Sequence, residues 1–233
     1  MKWSQFFTSS VGKKLVMSLT GLFLISFLVI HVGLNACIWA NDGGEMFNKS
    51  AHFMGTMVLI RIIEWGLFGG FIAHIIQGYS LEAKNLTRRG QGYAIAMGNK
   101  GSKWYSRTMG LLGTLLFLFL IMHINHFWIS SRFGGMANIK PLSEVEYNGV
   151  AYHNLYAQML KIFQDPIVVV LYVLGCISLC YHLMHGFQSA FRTLGVHNNR
   201  YLLIIRNFGK GFAIVVSIGF AMMPISFYMH WIS

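Results

Sequence analysis

Charged residues are scarce in this sequence of 233 residues. Only 11% of the residues are charged, whereas 55% are hydrophobic. Because soluble domains carry about 25% charged residues, this composition excludes an ordinary soluble domain and indicates an integral membrane protein. Three prolines are too few for a proline-rich linker, and no low-complexity tract or clear repeat divides the chain. We therefore expect one domain covering residues 1–233.

Cysteine is also scarce, with three residues in the chain. Cys37, Cys176 and Cys180 all fall in long apolar runs and form no C-x-x-C pair. Neither an iron–sulfur ligand set nor a disulfide framework is therefore indicated. The sequence also lacks the glycine-rich fingerprint of a dinucleotide site. Any flavin or iron–sulfur chemistry connected with this chain is expected to belong to other subunits.

Five apolar runs are long enough to cross a membrane. A hydrocarbon core of ~30 Å requires about 20 helical residues. Helices are favoured because backbone groups inside lipid must be paired within the chain, and the runs lack the alternation of barrel strands. The predicted fold is thus an all-α bundle of five transmembrane helices. The predicted spans are about 15–40, 53–81, 108–130, 167–191 and 211–232.

Basic residues are concentrated in segments that would share one side of the membrane. Cytoplasmic segments carry such an excess, so the N-terminus is predicted to be cytoplasmic and the C-terminus external. This topology and anionic lipid headgroups explain the net charge of +11 without a nucleic-acid partner. Thirteen of the eighteen Lys and Arg residues lie in the segments on this side: Lys2, Lys13, Lys14, Lys84, Arg88, Arg89, Lys100, Lys103, Arg107, Arg192, Arg200, Arg206 and Lys210.

Histidines inside the predicted spans are the most informative feature, because ionisable groups in a membrane are costly and usually serve a site. From the helical rise of ~1.5 Å per residue, His31 and His123 are expected nearer the external face. By the same measure, His74 and His182 are expected nearer the cytoplasmic face. Each layer would then receive two histidines from two helices that run in the same direction. For any single histidine, a hydrogen bond between helices is the alternative role.

Two facing imidazoles suit both axial positions of a haem iron. Two layers therefore predict two haems that transfer electrons, since no axial position is left for oxygen. A zinc site is not favoured, because it would need three or four converging ligands and neither layer offers an obvious set of thiolates or carboxylates. The absence of a C-x-x-C-H motif favours haem b, which is not covalently attached. His126 and His185 lie three residues beyond His123 and His182, on roughly the same helix faces, and remain alternative ligands.

Several segments resemble one family, the five-helix, di-haem cytochrome b subunit that anchors succinate dehydrogenase and fumarate reductase. The resemblance covers nearly the whole chain and implies that His31 and His123 hold the haem distal from the catalytic subunits. It implies likewise that His74 and His182 hold the proximal haem. It also favours His123 over His126, and His182 over His185. The segments are GLFLISFLVIHVGLN around His31, FNKSAHFM at 47–54, EWGLFGGFIAHIIQGY around His74, GTLLFLFLIMHINHFW around His123 and CYHLMHGFQSAFRTLG around His182.

The resemblance also implies a function and partners. The chain would anchor a succinate:quinone oxidoreductase in the bacterial cytoplasmic membrane and pass electrons between an iron–sulfur subunit and a membrane quinone, with menaquinone the expected type. A flavoprotein subunit carrying FAD and the iron–sulfur subunit would bind its cytoplasmic face, and phospholipids would surround it. The chain itself would not oxidise succinate.

Two alternative functions stay open at this point. One is the cytochrome b subunit of a membrane hydrogenase or formate dehydrogenase, which also carries several intramembrane histidines. The other is a non-haem transporter with a proton relay. A transporter would be expected to contain broken helices near the midplane, for which Pro224 is the candidate position.

Glu64 is a carboxylate on the external half of the second span, ten residues before His74. It is expected either to pair with Arg61, three residues earlier on the same helix face, or to exchange protons near a quinone site. Both roles remain open from the sequence.

Overall fold

The computed structural model describes residues 9–89, 104–136 and 139–232. Three residues that predicted the orientation, Lys2, Lys100 and Lys103, lie outside them, as do the two ends of the expected domain 1–233. The helices in the described residues are α1 (Ser10–Asn35), α2 (Glu45–Thr56), α3 (Val58–Arg89), α4 (Trp104–Arg107), α5 (Met109–His123), α6 (Ser130–Phe133), α7 (Leu155–Ile162), α8 (Pro166–Thr193) and α9 (Asn199–Tyr228). A 3₁₀ segment, Ala36–Ala40, extends α1, and a π-helical segment, Ile124–Ile129, joins α5 to α6.

Five helical segments of the described chain are long and apolar enough to span a membrane. Large apolar side chains lie on their outer surfaces: Ile62, Trp65 and Ile72 of α3 are 65%, 74% and 58% exposed. Soluble monomers rarely expose contiguous apolar faces of this kind, whereas lipid accommodates them. The protein is therefore an all-α integral membrane protein, as predicted. The five segments are Ser10–Ala40, Val58–Asn85, Met109–Phe133, Pro166–Thr193 and Asn199–Tyr228.

The second and fifth spanning helices begin at residues that differ from the expected ones. Helix α3 begins at Val58 rather than near 53, because Met57 has an extended backbone that separates α3 from α2. Helix α9 begins at Asn199 rather than near 211. The Asn198 side chain caps its first turn by accepting a hydrogen bond from the Arg200 N–H at 2.9 Å. The apolar run from 211 is thus the later part of a longer helix.

Glycine allows close packing between the spanning helices. Helices α8 and α9 pack along each other most extensively, and α1 and α5 both contact α8. A Cβ atom at Gly175 would lie 2.6 Å from the Phe119 ring, and one at Gly209 would lie 2.7 Å from the Phe187 ring. Both aromatic rings therefore lie directly against a helix backbone, an arrangement typical of membrane helix bundles.

A small β-hairpin covers one end of the bundle, which we name the hairpin end. Strand β1 (Glu144–Tyr147) pairs antiparallel with β2 (Val150–His153). Between them, Asn148 and Gly149 have φ angles of +53° and +78°, as in the two-residue turns that suit a hairpin. The opposite end, where Lys14, Arg107 and Arg192 lie, is named the basic end.

Asn48 of α2 joins the hairpin to the bundle. Its side chain is fully buried. The amide nitrogen donates to the Tyr147 hydroxyl and to Asn154 Oδ1, both at 3.1 Å, and the amide oxygen accepts the Tyr156 N–H at 3.1 Å. These bonds satisfy a buried polar group that would otherwise be costly. They also connect α2, the hairpin and α7 into one unit.

Candidate functional site

A cavity of about 1360 Å³ runs through the bundle, lined mainly by α1, α3, α5 and α8. It extends from Lys14 and Arg192 at the basic end to Gly55 and Arg132 at the hairpin end. Typical small-molecule pockets measure about 300–1,000 Å³. The cavity therefore has room for more than one ligand of that size. The histidines in its wall are His31, His74, His123, His182 and His185.

His31 and His123 face each other toward the hairpin end, with ring centroids 5.8 Å apart and planes at 88°. Each ring is stacked on a phenylalanine four residues earlier in its own helix. Phe27 lies 5.0 Å from His31, and Phe119 lies 5.7 Å from His123, both with planes at 21°. This spacing places the two rings on one helix face. Further rings around the pair belong to Phe127, Tyr172 and Phe220.

His74 and His182 face each other toward the basic end, with ring centroids 6.2 Å apart and planes at 60°. Thr20 Oγ1 lies 3.1 Å from His74 Nδ1 and donates its proton to the Val16 carbonyl at 2.7 Å. A hydroxyl has one proton to donate, and the Val16 carbonyl is the nearer acceptor, so we assign the Nδ1–H of His74 as the donor to Thr20. This assignment leaves the Nε2 lone pair of His74 available to a ligand.

The neighbouring histidines have different surroundings. The Nδ1 atom of His126 lies 3.0 Å from the Tyr172 hydroxyl, and the two rings stack at 5.9 Å. Among the described residues His126 is not part of the cavity wall, because the wider π-helical turn after His123 changes the face on which it lies. His185 does line the cavity, and its Nδ1 lies 2.8 Å from Ser106 Oγ. The expected shared face therefore holds for His185 and not for His126.

Glu64 lies in the cavity wall toward the hairpin end. Arg132 donates to it twice, from Nη2 to Oε2 at 2.9 Å and from Nε to Oε1 at 3.1 Å. The indole N–H of Trp128 also donates to Oε1. The expected pair with Arg61 is present but looser, with 3.8 Å between Arg61 Nη1 and Glu64 Oε2. The main partner of Glu64 is thus a residue of α6 that sequence reasoning did not connect with it.

Comparison with known proteins gives one curated relative. It is the succinate dehydrogenase cytochrome b558 subunit of Bacillus subtilis (strain 168), 23% identical over 177 residues, which are 76% of this chain and 73% of the relative. The chain is similar to the succinate dehydrogenase cytochrome b family. No family model and no solved structure matches it. The predicted resemblance and the predicted multi-pass place in a membrane are confirmed.

A cytochrome b subunit implies haem b, and the cavity residues fit such a group. Each layer offers two facing imidazoles in a largely apolar wall. The Nδ1 atoms of His123 and His182 are buried without a hydrogen-bond partner among the described residues, which is typical of a site that binds a further group. Within the same residues, no three or more His, Cys, Asp or Glu side chains converge as in a zinc site. Ligation by these histidines remains a prediction.

Sequence reasoning did not connect Trp128, Arg132 or Thr20 with the site that they contact. Trp128 and Arg132 are four residues apart, so a shared helix face was a signal available in the sequence. That this face meets Glu64 depends on how α3 packs against the α5–α6 segment. Thr20 carried no such signal, because a threonine in a membrane helix usually bonds to its own backbone.

Proposed function

We propose that this protein is the membrane anchor and electron-transfer subunit of a succinate:quinone oxidoreductase. His31 and His123 hold one haem b, and His74 and His182 hold the second. The observation that carries the proposal is the pair of facing imidazoles at each of two depths in one cavity. Haem b held by these histidines would supply one-electron transfer.

The protein's own contribution is to fix these imidazoles before a ligand arrives. Phe27 and Phe119 hold the planes of His31 and His123 by stacking. Thr20 fixes the His74 ring and its tautomer through the Nδ1–H bond. Hydrogen bonds from the second ring nitrogen orient metal-binding histidines and raise their basicity. The apolar side chains of the wall limit access of water to the ligand nitrogens.

The partner subunits bind the basic end, which faces the cytoplasm. Two observations support this arrangement. Lys14, Arg107 and Arg192 cluster there, as expected for a cytoplasmic face, and the curated relative is named as one subunit of succinate dehydrogenase. The N-terminus is then cytoplasmic and the C-terminus external. FAD and the iron–sulfur clusters belong to the flavoprotein and iron–sulfur subunits.

A membrane quinone, with menaquinone the expected type, reacts at the hairpin end of the cavity. Glu64 is the proton-exchanging group there, because it is the carboxylate that the described α3 places in this part of the wall. A positioned carboxylate is a common general base for such a transfer. Reduction of a quinone takes up protons, so Glu64 would pass them between the quinone and the external side.

The two alternative functions are less well supported. A transporter of the expected kind would require a broken helix at Pro224. Helix α9 instead continues through Pro224 without a break. The name of the relative favours succinate dehydrogenase over a membrane hydrogenase or formate dehydrogenase.

A reduced-minus-oxidised spectrum of the purified complex, with haem quantification, tests the proposal. We expect low-spin haem b at about two per chain, because four histidines provide two ligands for each iron. A value of one, or high-spin iron, would contradict the pairing. A colourless complex would favour the transporter, and a copurified nickel or molybdenum subunit would favour the hydrogenase or formate dehydrogenase. A copurified flavoprotein is expected instead.

A further inference from the structure

We propose that Arg132 and Trp128 are positioning residues, which hold the Glu64 carboxylate in the orientation that proton exchange with the quinone requires. The inference rests on the proposed quinone reaction and identifies which other side chains that reaction needs. Neither residue has to touch the quinone, since both act through Glu64.

The Arg132 guanidinium fixes Glu64 through two parallel hydrogen bonds. Its Nε and Nη2 atoms donate to the two carboxylate oxygens in the parallel geometry that a guanidinium fork favours. Its remaining nitrogen, Nη1, donates to the Gly55 carbonyl at 3.3 Å near the end of α2. Arg132 and Glu64 are only 21% and 17% exposed. One guanidinium therefore connects α2, α3 and α6 around the carboxylate.

Trp128 fixes the same carboxylate through a further hydrogen bond. Its indole N–H donates to Oε1, and its ring packs edge-on against Phe68 of α3 at 4.8 Å and against Phe133 at 5.4 Å. The aromatic contacts limit rotation of the indole, so the N–H keeps its direction.

These contacts distinguish the two oxygens of Glu64. Oε1 accepts hydrogen bonds from both Trp128 and Arg132, which uses its two acceptor sites. Within the described part of the chain, Oε2 accepts at hydrogen-bond distance from Arg132 alone, since Arg61 Nη1 lies 3.8 Å away. Oε2 therefore keeps one acceptor site. The proton that passes to or from the quinone is taken up and released at Oε2.

Arg61 provides a matched control. Like Arg132, it is an arginine near Glu64 Oε2, but its side chain is 49% exposed and is not part of the cavity wall within the described residues. An exposed pair at this distance contributes little. Replacement of Arg61 removes a similar charge without removing the fork that orients the carboxylate.

The experiment compares Arg132→Gln, Arg132→Lys and Arg61→Gln in the assembled complex. Succinate turnover is measured with a quinone and with an artificial dye. In Arg132→Gln we expect kcat with quinone to fall about 10–100-fold, because small misplacement of a reacting group has effects of this size. The quinone KM, the dye reaction and the haem spectrum should stay near their original values. Arg132→Lys keeps the charge but not the fork, so an intermediate kcat is expected. Arg61→Gln should resemble the unchanged protein.

A double variant separates positioning from a structural role. If Arg132 acts through Glu64, adding Arg132→Gln to Glu64→Gln should lower quinone turnover no further. A further fall as large as in the single variant would overturn the inference. Unchanged quinone turnover in Arg132→Gln would overturn it as well, and so would normal quinone turnover in Glu64→Gln.

A tryptophan variant tests the same inference without changing a charge. Trp128→Phe keeps an aromatic ring and removes the indole N–H that donates to Glu64. Its control is Trp39→Phe, because the Trp39 indole donates to Ser226, away from Glu64. Lower quinone kcat in Trp128→Phe alone is expected. If Arg132→Gln loses haem or fails to assemble, equal quinone turnover in these two tryptophan variants would overturn the inference. A starting complex that contains haem but has no quinone turnover would instead reject the proposed function.

Discussion

The His31–His123 pair lies among aromatic rings, whereas His74 and His182 lie against glycines and a hydroxyl group. Phe27 and Phe119 stack on the first pair. At the second pair, a Cβ atom at Gly21 would lie 3.4 Å from His74 Cε1, and one at Gly113 would lie 3.8 Å from His182 Cε1. Two imidazoles are thus brought together in both layers, but the orientation of the rings has different causes.

This difference has consequences for the groups that the two pairs are proposed to bind. Stacked rings restrict an imidazole mainly by contact and exclude water, while a hydrogen bond to Nδ1 also changes its strength as a ligand. The aromatic layer also has a polar contact, since Asn35 Nδ2 lies 3.4 Å from His31 Nδ1, but this distance is longer than the 3.1 Å between Thr20 Oγ1 and His74 Nδ1. We therefore expect the layer with Thr20 to depend more on its polar contact, and the aromatic layer to depend more on many weak ring contacts.

Loss of one histidine from a facing pair should have the largest effect and should be confined to one layer. In His182→Ala or His74→Ala, we expect haem content to fall from about two to about one per chain, because each pair is proposed to hold one haem. His31→Ala should remove the other haem. Haem quantification and the reduced-minus-oxidised spectrum measure both effects. Loss of both haems in every variant would mean that the layers are not independent.

The neighbouring histidines serve as matched controls for that experiment. His126 is bonded to Tyr172 and His185 to Ser106, so His126→Ala and His185→Ala should each keep about two haems per chain, as two intact pairs require. Retention of both haems in His182→Ala together with loss of one in His185→Ala would reverse the assignment at the basic end.

Replacement of Thr20 by Val should have a smaller effect, restricted to the basic-end layer. The variant keeps the side-chain shape but removes the hydrogen bond to His74 Nδ1. Second-shell changes of this kind typically weaken metal binding by about 10–100-fold. Transfer of haem to an excess of a haem-binding protein would measure the loss. Thr87→Val is the control, because the Thr87 hydroxyl donates to the Ala83 carbonyl of its own helix at 2.9 Å. Equal loss from both layers would contradict the proposed role of Thr20.

Replacement of Phe27 by Leu should have the smallest effect, and it should appear at the hairpin-end layer. One aromatic pair is worth about 0.5–1.5 kcal/mol, and the other rings around His31 and His123 would remain. Thermal loss of the absorbance of that haem should begin at a temperature a little lower than in the unchanged protein. Phe208→Leu, at a lipid-exposed position of α9, should not change it. Complete loss of the haem in Phe27→Leu would show that the aromatic layer depends on one contact.

Some features missed from the sequence had a local signal. The Asn148–Gly149 dipeptide between apolar and aromatic residues is a recognised hairpin turn, and the hairpin that it forms was not predicted. The separation of α2 from α3 at Met57 was harder to recognise. The segment 53–57 contains no proline or charged residue, and α2 ends there because Met57 has an extended backbone.

The order and approximate depth of the four facing histidines followed from the sequence alone. Apolar runs identify spanning helices because lipid accepts little else, and a constant rise per residue converts position into depth. The same rules led to the predicted pairs His31 with His123 and His74 with His182, which the structure brings together.

Tertiary structure alone decided which side chains surround those histidines. His126 turns toward Tyr172 because the chain forms a π-helical turn after His123, a choice that spacing does not reveal. Glu64 and Arg132 are 68 residues apart and meet only because α3 packs beside the α5–α6 segment. Periodicity fixes which residues share a helix face, but the rotation of one helix against another depends on contacts along both, and these contacts form only in the folded bundle.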